Sequence, residues 1–220
     1  MALVNQDTRE IQFKIVYFGT PRSGKTTNLH YIQRKLDPYF RGELESVEAG
    51  GDRRVFFDFL SVSSGNIAGY RTRFHLYTAP GQQIFQQISE LILAGSDGVI
   101  FVADSAPDRQ EANRIALETC RESLSNNGYH PDAVPMAFQL NKRDLTHAVD
   151  AEEMDEQLGI RAPSFLTCAT GGHQVFATLD FVTQIVLRQF HRSRVEVSRG
   201  HPEESAATTA PSQSATALSH

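Results

Sequence analysis

Gly19-Thr20-Pro21-Arg22-Ser23-Gly24-Lys25-Thr26-Thr27 is a run of residues built to hold phosphate. Its spacing fits G-x-x-x-x-G-K-[ST], the phosphate-binding loop. Glycines let the backbone curl so that its N–H groups point at phosphate oxygens. The start of a helix adds partial positive charge. Lys25 can reach β- and γ-phosphates, and the hydroxyl of Thr26 can ligate Mg2+. The expected binding residues here are Gly19, Arg22, Ser23, Gly24, Lys25, Thr26 and Thr27, with Thr26 as the metal ligand.

A second set follows a strand-like run. Asn141-Lys142-Arg143-Asp144 comes directly after Pro135-Met136-Ala137-Phe138-Gln139-Leu140. The carboxylate of Asp144 can accept two hydrogen bonds from guanine, at N1–H and the 2-amino group. Adenine has no donors there, so the carboxylate would lose its water without gaining a partner, a costly mismatch. Asn141 can tether neighbouring loops, and the alkyl part of Lys142 can cover the base. Cys168-Ala169-Thr170-Gly171 follows the last strand-like run, and the backbone at Ala169 and Thr170 can contact the base oxygen. A small-residue turn explains that stretch equally well. GTP or GDP with Mg2+ is therefore the expected ligand set, and an ATP-dependent kinase or ATPase is disfavoured by Asp144.

These loops need strands to end on and helices to begin. The run 11–18 reads as a strand feeding the phosphate loop, and 28–36 reads as a helix. No firm periodicity marks 37–54. Strands are expected at 55–60, 70–77, 98–104, 135–140 and 164–168, with 55–60 and 70–77 able to form a hairpin. Helices are expected at 84–94, 107–124, 151–158 and 175–190, the first with Ile84, Ile88, Leu91 and Ile92 on one face. Alternating strands and helices give an α/β fold, a mostly parallel six-stranded sheet with helices on both faces. Ligands of such sheets lie at the carboxyl ends of the strands.

Composition narrows the setting. The 220 residues suit one domain, expected over 1–190, plus an extension. From 191 to 220 the chain turns low in complexity and is expected to be a disordered tail. A net charge of −5 gives no global field for nucleic acid. Cys120 and Cys168 form no metal spacing, and a reducing, cytoplasmic setting is expected. Residue 2 is Ala and the chain ends Leu218-Ser219-His220, so no direct membrane anchor is expected.

With these parts in place, the chain resembles the Ras-like P-loop small GTPases. It looks closest to the bacterial gliding-motility group, the MglA-like proteins. The resemblance covers about residues 8–190. It rests on Arg9-Glu10-Ile11, the phosphate loop through Asn28-Leu29, Asp52-Arg53, Phe56-Phe57-Asp58-Phe59-Leu60, Thr72-Arg73-Phe74-His75-Leu76-Tyr77-Thr78, Pro80-Gly81-Gln82, Gly98-Val99-Ile100-Phe101-Val102-Ala103-Asp104-Ser105 and Asn141-Lys142-Arg143-Asp144-Leu145. Most Ras-like proteins have Asp where this chain has Thr78.

The resemblance implies a GDP/GTP switch in cell polarity or motility, with a roadblock-fold, MglB-like activating protein as partner. Gly81 falls among the nucleotide-binding residues. Gln82 matches the glutamine that orients the attacking water. Arg53 matches an arginine proposed to act in cis on the transferring phosphoryl group.

Some residues depart from that pattern. Arg54 stands where the group has the Mg2+-sensing threonine, and Arg cannot ligate a cation. Asp58 then offers a carboxylate that Thr78 lacks, or else it is a strand residue facing solvent. Pro21 stands beside the γ-phosphate position and has no N–H to give. Slow intrinsic hydrolysis is expected from these changes. Gln82 favours an enzyme. Arg54 and Pro21 favour a nucleotide-binding interaction module with little or no hydrolysis.

Overall fold

The computed structural model describes residues 2–49 and 55–199. Its strands are β1 (Leu3–Asn5), β2 (Glu10–Phe18), β3 (Arg41–Ala49), β4 (Val55–Ile67), β5 (Tyr70–Thr78), β6 (Gly98–Asp104), β7 (Met136–Asn141) and β8 (Ser164–Leu166). Its helices are α1 (Lys25–Lys35), α2 (Gln86–Leu93), α3 (Gln110–Asn126), α4 (Ala151–Gln157) and α5 (Val175–Arg199). The main path across the sheet is β3-β4-β5-β2-β6-β7-β8, with β1 beside β2. β2 runs parallel to β5 and β6, β6 to β7, and β7 to β8. The mostly parallel α/β sheet stands as expected.

Alternation in β2 builds two cores. Ile11, Phe13, Ile15 and Tyr17 face Leu29 and Ile32 of α1 and Val175, Leu179, Val182 and Val186 of α5. Val16 and Phe18 face Ile92 and Leu93 of α2, Leu117 and Leu124 of α3 and Met154 of α4. Helices therefore cover both faces, and every residue of β6 is buried between them. That burial explains its continuous apolar run. No helix among the described residues is long and apolar enough to cross a membrane.

The structure corrects several sequence expectations. Among the described residues the sheet has eight strands rather than six. β3 falls in the stretch that showed no periodicity. Among the described residues it pairs only with β4, antiparallel, and its residues 45–48 are exposed, so no buried face imposes alternation. β4 does not stop at Leu60 but continues to Ile67 against β5. α2 begins only at Gln86, after a short 3-10 turn at Gln83–Phe85, and Ile84 and Leu91 are exposed instead of lining its buried face. α5 does not end at residue 190 but reaches Arg199, so the tail boundary expected at 191 falls inside a helix. Residues 200–220 of that expected tail lie outside the described residues.

Candidate nucleotide site

β2, β6 and β7 end side by side, and the motif residues leave from their carboxyl ends. Gly19 follows β2 at φ +147, and a Cβ there would sit 2.2 Å from the carbonyl oxygen of Val102 on β6. Only glycine lets the loop lie that close to its neighbour strand. Gly24 closes the loop at φ +108 and precedes the first residue of α1. The amide of Ser23 donates to Thr20 O at 3.2 Å, holding the turn. The hydroxyls of Thr20 and Ser23 are buried and take no partner among the described residues. Such orphaned polar atoms in a native fold call for a ligand or ordered water.

Lys25 folds back over this loop. Its Nζ donates to the carbonyls of Gly19 and Thr20, each at 2.7 Å. Burial pushes its pKa down to about 7, with Asp58 opposing that shift and Arg109 adding to it. Thr26 Oγ1 donates to Asp58 Oδ2 at 2.5 Å. The same carboxylate accepts from Ser46 on β3 at 2.6 Å and from Thr78 on β5 at 3.2 Å. Asp58 is buried, so the strand residue is not solvent-facing. β4 and β5 pair antiparallel at Phe59↔Tyr77, which sets Asp58 beside Thr78. The carboxylate missing at Thr78 thus arrives from the adjacent strand.

Asn141 joins the two ends of the site. Its Nδ2 donates to Ser23 O in the phosphate loop at 2.7 Å. Its Oδ1 accepts from Ala169 N at 2.9 Å and from Thr167 Oγ1 at 3.2 Å. Lys142 turns the chain at φ +70, and its Nζ donates to Asp104 Oδ2 at 2.6 Å. Asp144 is exposed just beyond this turn. Thr170 is exposed, with its hydroxyl 3.2 Å from Cys168 Sγ. On the phosphate side Gly81 is buried against Gly19, and Gln82 is exposed at the start of the 3-10 turn. Arg22 and Thr27 stay on the loop and the first turn of α1. Arg53, the expected catalytic arginine, and Arg54 lie outside the described residues.

Over 193 residues, 87% of its length, the chain is 46% identical to the mutual gliding-motility protein MglA of Myxococcus xanthus (strain DK1622), and the match takes in 99% of that protein. The chain belongs to the MglA family. No protein-family model matches it. In this MglA-like chain the phosphate loop, Gly81, Asn141 and the turn at Ala169 converge on one edge of the sheet. A cleft of about 750 Å³ lies elsewhere, around Pro135 and Met136 at the opposite end of β7, and holds none of these residues. The motif geometry, not the concavity, marks the site.

Sequence reasoning did not single out Asp104 and Arg109. Asp104 is buried at the end of β6, and beside its bond to Lys142 it lies 3.8 Å from Arg109 Nε. Arg109 Nη2 donates to Pro21 O at 2.9 Å. The one signal available was a charged residue closing the otherwise apolar strand β6.

The donor set suits Mg2+. Thr26 offers a hard oxygen, with the Asp58 carboxylate behind it. Among the described residues no group of three or more His, Cys, Asp or Glu could hold a metal ion.

Proposed function

We propose that this chain binds GTP and GDP with Mg2+, hydrolyses GTP to GDP, and works as a molecular switch. The observation that carries this is Asn141, which grips Ser23 in the phosphate loop and Ala169 in the last loop. One nucleotide would then span both ends of the site. Asp144 reads guanine through two acceptor oxygens. The amides of residues 22–27 receive the phosphates, and Lys25 exchanges two backbone carbonyls for phosphate oxygens. Thr26, positioned by Asp58, would hold Mg2+, whose charge offsets that of the phosphates. Gln82 orients the attacking water, and Arg53 adds positive charge to the transferring group.

The relative's name, a mutual gliding-motility protein, supports gliding motility as the setting proposed for the switch, with cell polarity a setting of the same kind. A roadblock-fold, MglB-like protein is the activator proposed for it, and the cytoplasm its compartment. Chromatography of nucleotide released from freshly purified protein tests the ligand: GDP or GTP is expected, and adenine nucleotide would overturn the proposal. Asp144→Asn should shift preference toward xanthine nucleotide, and unchanged GTP preference would count against the base contact.

A second reading is an interaction module that binds nucleotide and scarcely turns it over. Pro21, which lacks an N–H beside the phosphates, favours it. Single-turnover release of phosphate separates the two.

A further inference from the structure

Pro21 takes a donor away from the phosphate cradle, and the fold brings a cation to the same residue. Arg109 comes from the turn before α3, 88 positions along the chain from Pro21, and donates from Nη2 to Pro21 O at 2.9 Å. Its other side meets Asp104, at 3.8 Å from Nε. Asp104 is almost fully buried and is also bound to Lys142 of the base-reading turn at 2.6 Å. Lys142, Asp104, Arg109 and the carbonyl of Pro21 therefore form a continuous polar chain from the base end of the site to the phosphate end. A buried carboxylate between two cations is a rigid link, because leaving any member unpaired is costly. The bond to Pro21 O sets the Arg109 charge beside the phosphate loop, where it adds to the lowering of the Lys25 pKa by burial.

We infer that Arg109 is a positioning residue for the γ-phosphate side of the site: it holds the loop through Pro21 and replaces, as a fixed positive charge, the donor that Pro21 lacks. This rests on the proposed guanine-nucleotide reading. A guanidinium suits the task because its planar donors can serve a carbonyl, a carboxylate and an incoming oxygen at once. The γ-phosphate adds negative charge on that side, so GTP gains more from Arg109 than GDP does.

The test compares GTP and GDP affinity in the wild-type protein, Arg109→Gln and Arg109→Lys, at two salt concentrations. Arg109→Gln should weaken GTP about tenfold and GDP about threefold or less, in line with loss of one charged hydrogen bond. Arg109→Lys should recover most of the GTP preference. Added salt should narrow the difference between wild type and Arg109→Gln. Equal loss for both nucleotides, or no loss for either, would overturn the inference. If Arg109→Gln does not fold, Arg109→Lys decides alone: it keeps the charge but not the fork, so the GTP:GDP ratio should stay near that of the wild type while nucleotide exchange speeds up, and a ratio cut by about tenfold, or an unchanged exchange rate, would overturn the inference. A wild-type protein that binds no guanine nucleotide would instead defeat the functional reading itself.

Discussion

Thr26 on α1 donates its hydroxyl to Asp58 on β4 across 2.5 Å, although the two lie 32 positions apart. That bond joins the residue proposed to ligate Mg2+ to a carboxylate shared with Ser46 and Thr78. Asp58→Asn keeps the shape but replaces one acceptor oxygen with a donor. At least one of the three hydroxyls then faces an N–H group. The expected result is nucleotide release that Mg2+ slows about tenfold less than in the wild type, with a stability loss of about 1–3 kcal/mol. Release of a fluorescent GDP with Mg2+ and with a chelator measures the first, and denaturant unfolding the second. An unchanged Mg2+ effect would remove Asp58 from the metal site.

Asn141 satisfies three buried groups on two segments: Ser23 O in the phosphate loop, and Thr167 Oγ1 and Ala169 N in the loop after β8. Asn141→Ala leaves them without their partner. Each such group costs about 1–3 kcal/mol, so the melting temperature should drop by several degrees and nucleotide exchange should accelerate. A variant that melts like the wild type would show that water replaces the amide at no cost.

Gly81 and Gly19 touch through backbone. A Cβ at residue 81 would lie 2.4 Å from Gly19 O and 2.7 Å from Gly19 C. Neither atom can rotate away, so Gly81→Ala must push the phosphate loop off its seat. Nucleotide affinity should fall at least about tenfold, since even a small displacement breaks several aligned amide contacts. Gly65→Ala is the control, because its Cβ meets nothing within 4 Å. Equal affinities for the two variants would argue against the close approach.

Lys25 carries a pH signature. Its pKa is pushed down to about 7 by burial, so in the free protein it is mostly neutral at pH 8. Phosphate favours the ammonium form and raises the pKa. Binding at pH 8 therefore takes up a proton, and affinity falls as pH rises through 7, by up to about tenfold per pH unit. Below pH 6 the lysine is already charged and uptake should vanish. Calorimetry in buffers of different ionisation enthalpy reads the proton count directly. No uptake at pH 8 would contradict this assignment.

The local parts of the site were legible in the chain itself. The phosphate loop is a single run, and its function depends on backbone conformations that Gly19 and Gly24 encode in place. Asn141 closes a buried strand and Lys142 to Asp144 follow it, as the apolar run before them announces. β6 announces itself in the same way, because burial on both sides leaves no polar position along it before its last residue, Asp104. Where burial is partial the signal fades. β3 sits at the sheet edge with exposed glutamates, so neither face writes a pattern. Ile84 and Leu91 fit a helical stripe but stay exposed, because α2 starts later than the stripe suggests.

What the sequence determined alone was therefore the neighbours along the chain on which the proposed chemistry rests: a loop of phosphate-binding pattern, a turn of base-reading pattern, and strands apolar enough to place both at one edge. The tertiary structure decided the rest. It chose Asp58 to stand beside Thr26 in place of the carboxylate that Thr78 cannot supply, and it brought Arg109 to Pro21 through Asp104 and Lys142. These pairs depend on strand register and helix placement, which emerge only when distant segments pack together and bury their shared charges.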